Sequence, residues 1–303
     1  MGNILILDIG GTAIKAAVID KNRNILKREE RKTPHTSQQE LITQIKDIYK
    51  NCSDVEGIGL SMPGIIDSER GYIHTGGSLT YNCDCDFKGL LEECCGKEVY
   101  IENDAKCAAL AEMWCGSLHN IKNGMVLVLG TGIGGGLIID GKLVKGTNFS
   151  AGEISYLCLE QSRFGQPDAM AGMICSTGGL LEMAKKEMHI EQMDGREFFS
   201  KLEKGDKVLD GILEKFCRKI AILVFNLQMT LDLQRISFGG GISRQPRLIN
   251  KIKEQVHQLF LNEQIRKFSP NLPEPEVVSC KFFNDSNIIG ALYHYLRCKE
   301  QEK

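Results

Sequence analysis

The chain has 303 residues, 42% of them apolar and 25% charged, with 37 basic against 39 acidic side chains for a formal net charge of −2. That composition is globular, and the length is enough for two domains with cores of their own. The near-neutral charge gives no electrostatic reason to expect nucleic acid or an acidic membrane as partner, and no apolar run approaches the roughly 20 residues that span a bilayer.

Alternating apolar and polar residues predict antiparallel strands at Ile4–Asp8, Ala13–Asp20 and Asn24–Lys32. A helix is expected from Ser37 to Tyr49, with Leu41, Ile42, Ile45 and Ile48 on one face. A buried strand at Val55–Leu60 closes on Ser61-Met62-Pro63-Gly64. Phe87–Cys95 reads as a helix, and a strand at Val99–Ile101 feeds another helix beginning near Asn103. The pattern then partly repeats. Strands at Met125–Leu129, Gly134–Ile139 and Lys142–Val144 surround a glycine turn, and helices follow at about Ser176–Met188 and Lys207–Leu233. A strand at Ile236–Phe238, a helix at Arg247–Leu261, a strand at Val277–Lys281 and a helix at Ser286–Lys299 complete the series. Pro270–Pro275 is a loop. Two βββα-type halves predict an α/β protein of two lobes with a cleft between them, divided near Ser117-Leu118-His119-Asn120.

The twelve cysteines are scattered. Several, such as Cys107 and Cys115, fall at apolar helix positions where a free thiol packs as a small hydrophobe. Cys83, Cys85, Cys94 and Cys95 crowd together without the paired C-x₂-C spacing of a zinc ribbon. A reducing cytoplasm is the expected compartment. The strand-like start at Asn3–Leu7, without a basic run or cleavage site, speaks against secretion.

Three glycine-rich turns follow three of the predicted strands: Asp8-Ile9-Gly10-Gly11-Thr12, Gly130-Thr131-Gly132-Ile133-Gly134-Gly135-Gly136 and Phe238-Gly239-Gly240-Gly241-Ile242-Ser243. Without a Cβ, such turns let backbone N–H groups wrap an anion. Asp8 beside the first turn reads either as a carboxylate holding Mg²⁺ against phosphates or as a turn-stabilising Asp. Thr12 and Thr131 offer hydroxyls to phosphate oxygens or cap their turns. Asn103-Asp104 opens a strong helix, so one of them is an N-cap, while a carboxylate there could also accept the proton of an attacking hydroxyl. A metal-side acid, phosphate loops and a base are the parts of phosphoryl transfer. No G-x-x-x-x-G-K-[ST] string exists, and the Gly130–Gly135 string leads into a strand, which disfavours a dinucleotide site.

In this order, these motifs, together with Pro63-Gly64, Glu102-Asn103-Asp104-Ala105 and Ala151-Gly152-Glu153, resemble the ROK family of actin-like sugar kinases over essentially the whole chain. The resemblance implies two ribonuclease-H-like lobes, residues 1–118 and 119–303, with the final helix at 286–299 packing back on the first. It implies ATP and Mg²⁺ as cofactors, a sugar as substrate, and a homodimer. By this resemblance Asp104 is the general base for the sugar 6-hydroxyl, Asn103 and Glu153 hold ring hydroxyls, and Gly64 gives a backbone contact. Gly10, Gly11 and Thr12 form the first phosphate loop, with Asp8 on the Mg²⁺ either directly or through water. Gly130, Thr131, Gly132 and Gly134 form the second, and Gly239, Gly240 and Gly241 face adenosine.

Two departures bear on the substrate. The family commonly reads Gly-Glu-Ile-Gly-His where this chain has Gly152-Glu153-Ile154-Ser155-Tyr156. Its zinc cluster of one His and three Cys has no counterpart, since only Cys158 and Cys175 lie between Leu157 and Ser176, and no structural zinc is expected. Tyr156 in place of the His resembles the β-glucoside kinase branch, as does Thr75-Gly76-Gly77-Ser78, with the aromatic face stacking on a second ring. With Tyr156 as a merely packed aromatic, a glucokinase or another hexose or N-acetylhexosamine kinase is the alternative. A sugar-responsive regulator would need a helix-turn-helix ahead of the first strand, which already begins by Asn3.

Overall fold

Residues 2–20, 22–52 and 54–302 are described by a computed structural model. The chain divides into two units. Met1–Cys115, Leu143–Ala151 and Asp285–Lys303 form the first, Gly116–Lys142 and Gly152–Asn284 the second.

In chain order the first unit opens with β1 (Asn3–Ile9), β2 (Ala13–Ile19), β3 (Ile25–Lys32), α1 (Gln38–Lys50) and β4 (Val55–Met62). Short strands β5 (Ile65–Asp67), β6 (Tyr72–Thr75) and β7 (Cys85–Asp86) follow, then α2 (Phe87–Cys95), β8 (Glu98–Asn103) and α3 (Asp104–Cys115). Helix α1 starts where predicted because the Ser37 hydroxyl accepts from the Glu40 N–H, and Asp86 caps α2 through the Gly89 N–H. The main sheet runs β3-β2-β1-β4-β8. β1 is antiparallel to β2 and parallel to β4, and β4 is parallel to β8.

The second unit has β9 (Gly124–Leu129), β10 (Ile133–Ile139), β11 (Lys142–Leu143), α4 (Ala171–Ile174), α5 (Thr177–Met188), α6 (Gly195–Glu203) and α7 (Lys207–Leu231). β12 (Arg235–Gly239), α8 (Pro246–Phe260), α9 (Glu263–Phe268) and β13 (Glu276–Ser279) complete it, and α10 (Ser286–Gln301) belongs to the first unit. Its sheet runs β11-β10-β9-β12-β13, the same order of first, second, third, fourth and fifth strands as in the first unit.

Strand period decides what faces what. Side chains alternate across a sheet, so Leu5, Leu7 and Ile9 enter the core under α1 and α2. Ile4 and Ile6 enter the other core with Cys107 of α3 and Ile288, Ala291, Leu292 and Tyr295 of α10. Asp8 shares the parity of Ile4 and Ile6, which aims a carboxylate at α10.

The first break lies between Cys115 and Gly116, and Leu143–Ala151 groups with the first unit rather than the second. Tertiary side-chain bonds described below hold that short segment, and no local pattern announces them. The three-stranded sheet β5-β6-β7 also went unpredicted; its strands of 2–4 residues are too short to display a period. Among the described residues, no helix is long and apolar enough to cross a membrane.

Candidate active site

In the first unit, the end of β1 carries Asp8, only 5% exposed. Register explains its neighbours. Asp8 lies opposite Lys15 on β2 and Ser61 on β4, so the three side chains share a face. The carboxylate Oδ1 accepts from Ser61 Oγ at 3.0 Å and from Asn287 Nδ2 of α10 at 2.9 Å, and Lys15 Nζ stands 3.6 Å from Oδ2. Burial pushes the Asp8 carboxyl above its ordinary range, opposed by Asn287, Lys15 and Ser61. Sequence reasoning missed Asn287 and Ser61; only the fold brings residues 279 and 53 positions away to Asp8.

The Gly10-Gly11-Thr12 turn closes on itself through Gly10 N–H to Ala13 C=O at 2.9 Å and is held by Thr33, whose hydroxyl donates to Gly10 C=O at 2.7 Å. Ser78 stands over this turn, its Oγ 3.0 Å from where a Cβ on Gly11 would lie. Gly64 has φ +111°, and a Cβ there would sit 1.8 Å from the Thr75 carbonyl oxygen. Only glycine fits. The Pro63-Gly64 turn and the Thr75–Ser78 loop are therefore one packed feature beside the first glycine turn.

Asn103 and Asp104 occupy the junction of β8 and α3. Asn103 is 4% exposed and fully engaged locally. Its Oδ1 accepts from the Lys106 N–H at 3.0 Å, which caps α3, and its Nδ2 donates to Gly64 C=O at 2.9 Å. Its own N–H donates to Glu102 Oε1 at 2.8 Å. Capping and site-building thus coincide in one side chain. Asp104 is half-buried, and its Oδ1 accepts from the Ala105 N–H at 2.8 Å.

In the second unit, the Gly130-Thr131-Gly132 turn is tight, with Gly130 N–H bonded to Gly132 C=O at 2.9 Å. Thr131 and Gly132 are exposed, whereas Gly134 lies within β10. Thr177, just after the α5 cap Ser176, ties the turn down by donating Oγ1 to Leu129 C=O at 2.9 Å and N–H to Gly130 C=O at 3.0 Å. Gly239 ends β12, and Gly240 follows with φ +90°; a Cβ on Gly240 would lie 2.3 Å from the Leu129 carbonyl oxygen. The second and third glycine turns are thereby pressed together.

These turns wall a cavity of about 760 Å³, whose lining includes Gly130, Thr131, Gly178, Arg196, Gly241 and Arg244. Its volume suits a nucleotide-sized ligand. Leu129, Phe199 and Ile242 supply apolar wall and Asp194 and Asn284 polar groups, and Gly178 at the start of the 12-residue α5 lines the cavity as well. Sequence reasoning missed Thr177, Gly178, Arg196 and Arg244. Ser176-Thr177-Gly178-Gly179 was the available signal, a capping residue and glycines at a helix start.

Glu153 is half-buried and placed by backbone: a Cβ on Gly152 would lie 2.5 Å from the Gly135 carbonyl oxygen, so the turn before Glu153 rests on β10. Tyr156 is 71% exposed, and Phe164 and Met173 nearby in sequence are exposed too. Cys158 and Cys175 are free thiols, as are Cys83, Cys85, Cys94 and Cys95. Among the described residues, no group of three or more His, Cys, Asp or Glu could hold a metal ion.

Two α/β units of matching strand order, with glycine turns at the strand ends, define the fold of the actin-like phosphotransferases. Comparison with known proteins narrows this. The ROK family profile matches residues 4–297, and the chain belongs to the ROK family. A β-glucoside kinase of Listeria monocytogenes is 30% identical over 297 residues, covering 97% of both chains. A ROK family protein of Streptococcus pneumoniae, solved in complex with sucrose, superposes with a TM-score of 0.86 at 27% identity, covering 99% of each chain. A ROK glucokinase of Streptomyces griseus, solved with glucose and AMPPNP, shares the fold at a TM-score of 0.83 and 23% identity, over 96% of this chain and 98% of that one. The chain is a carbohydrate kinase of this family.

Proposed function

We propose that this enzyme transfers the γ-phosphoryl group of ATP to the 6-hydroxyl of a glucose unit in a β-glucoside, such as cellobiose or an aryl glucoside. The observation that carries the specificity is the exposed Tyr156 ring, three residues beyond Glu153, which gives a second ring an aromatic surface to stack on. The full-length similarity to a β-glucoside kinase supports the same reading.

Asp104 accepts the proton of the sugar hydroxyl as its oxygen bonds to phosphorus and the bond to the β-phosphate oxygen breaks, leaving ADP. Asn103, Gly64, Glu153 and Tyr156 bind the sugar. Asn103 does so while holding the Gly64 turn, which orients both. Gly10, Gly11, Thr12, Gly130, Thr131, Gly132 and Gly134 serve the phosphates, and Gly239, Gly240 and Gly241 the adenosine side. Asp8, a buried carboxylate that accepts from Ser61 and Asn287 with Lys15 Nζ 3.6 Å away, suits Mg²⁺ that keeps most of its waters; the ion neutralises phosphate charge when bound. The free thiols fit a reducing cytoplasm, and the family resemblance supports a homodimer.

ATP consumption with glucose, cellobiose, salicin, N-acetylmannosamine and fructose tests the reading. Cellobiose or salicin should be accepted with higher kcat/KM than glucose. Turnover of glucose with no β-glucoside accepted would make it a glucokinase, and no turnover with any sugar would leave the regulator.

A further inference from the structure

Lys106 is 1% exposed, among the largest fully buried side chains of the molecule. Its Nζ donates to the main-chain carbonyl of Phe149 at 2.5 Å, and among the described residues it forms no ion pair with a carboxylate. Burying an amino group against a lone carbonyl is costly, and a methionine of similar length would fill the same space without that cost. Stability does not account for the lysine.

Its partner is part of a short strap, Leu143–Ala151, that groups with the first unit although the chain on both sides belongs to the second. Within the strap the Phe149 N–H donates to Gly146 C=O at 3.3 Å and the Ala151 N–H to Lys145 C=O at 3.1 Å, and side chains from outside it add to these. Phe149 is a non-glycine residue at φ +58°, a conformation that persists only when surroundings impose it. Two side chains of one short stretch, Glu102 and Lys106, reach the strap. Lys145 of the strap reaches to 3.9 Å from Glu102, whose Oε2 is buried and has no hydrogen-bond partner, and Lys106 holds Phe149 further on. Glu102 and Lys106 flank Asn103 and Asp104 in sequence. The Phe149 ring also stacks on His74 at 6.1 Å. Past Ala151 the chain continues directly into Gly152 and Glu153.

We propose that Lys106 is a positioning residue for sugar recognition: by holding the Phe149 carbonyl it fixes the run of chain that leads into Glu153. The inference rests on the reading of Glu153 as a sugar ligand.

The test is Lys106→Met in the full chain. With glucose and salicin as acceptors, sugar KM should rise about tenfold, the loss of a hydrogen bond from a charged group, while ATP KM and the melting temperature hold or the latter rises. Hydrogen exchange of peptides covering 143–153 should quicken, with α3 unchanged. Lys106→Gln, which keeps a shorter donor, should fall between. Unchanged exchange in the strap overturns the proposal whatever the kinetics. So does quickened exchange with an unchanged sugar KM, or a joint loss of both KM values and melting temperature, which marks a merely structural residue. If the wild-type chain turns over no sugar, the reading of Glu153 fails separately, and exchange still decides whether Lys106 holds the strap.

Discussion

The two sheets share one strand order but finish their strand ends in opposite ways. The first unit ends its central strands on buried polar side chains: Asp8 on β1, Ser61 on β4, and Glu102 and Asn103 on β8. The second follows β9 with Gly130, ends β12 on Gly239 and leaves an open cavity of about 760 Å³ beside them. Moving a proton and holding a metal need particular atoms at fixed points, and a side chain supplies them. Wrapping phosphates needs backbone N–H groups close to the ligand, which side chains obstruct. On the function proposed above, one topology serves two kinds of chemistry by filling or emptying equivalent places.

The largest effect expected from this division is on Asp104. Asp104→Asn should lower kcat about 10²- to 10⁴-fold, the usual worth of a general base, with ATP KM unchanged in a steady-state assay; a wild-type rate would remove Asp104 from the chemistry. Next come the paired glycines of the fourth strands. Gly240→Ala forces a Cβ to 2.3 Å from Leu129 O, and Gly64→Ala one to 1.8 Å from Thr75 O. Each should cost about 1–3 kcal/mol in thermal or urea unfolding. Gly240→Ala should raise chiefly the nucleotide KM and Gly64→Ala chiefly the sugar KM. Equal effects of both on both substrates would dissolve the contrast between units.

Smaller still is Tyr156→Ala, which should lower kcat/KM for salicin roughly three- to tenfold, the worth of one ring contact, and spare glucose. An equal loss on glucose would assign Tyr156 to packing rather than to a second ring.

The mildest expectation concerns pH and the polar interior of the first unit. Burial pushes the His294 imidazole below its ordinary value of 6.5, and Lys145 and Lys88 add to this, while Glu102 and the Ile101 carbonyl act against it. The Cys298 thiol also lies 3.7 Å from its Nε2. The folded state keeps His294 neutral while the unfolded chain takes up a proton. Its contribution is therefore present above about pH 6.5 and lost as pH falls below it. Melting temperatures across that range should decline toward acid in the wild type and less steeply in His294→Gln. A parallel decline in both would place the acid sensitivity elsewhere.

Much of the framework was legible in residue order. The paired strand patterns, the amphipathic α1 with Leu41, Ile42, Ile45 and Ile48 buried, and the glycine turns are local signals with known periods. The partners of those signals were not. Asn287 reaches Asp8 only because β1 parity and the seating of α10 bring them together, and Lys106 looks like an ordinary helix residue until Phe149 is placed over it.

By itself, then, the sequence determined which segments become strands and helices, where backbone could approach an anion, and which family the chain resembles. Those properties follow from side-chain period and from the presence or absence of a Cβ, which adjacent residues decide. Only the tertiary structure decided how Asp8 is held, that Asn103 caps α3 and grips Gly64 at once, and that Leu143–Ala151 rests on Lys106. Each of these depends on atoms distant in sequence, where strand register and helix packing, not local pattern, choose the partner.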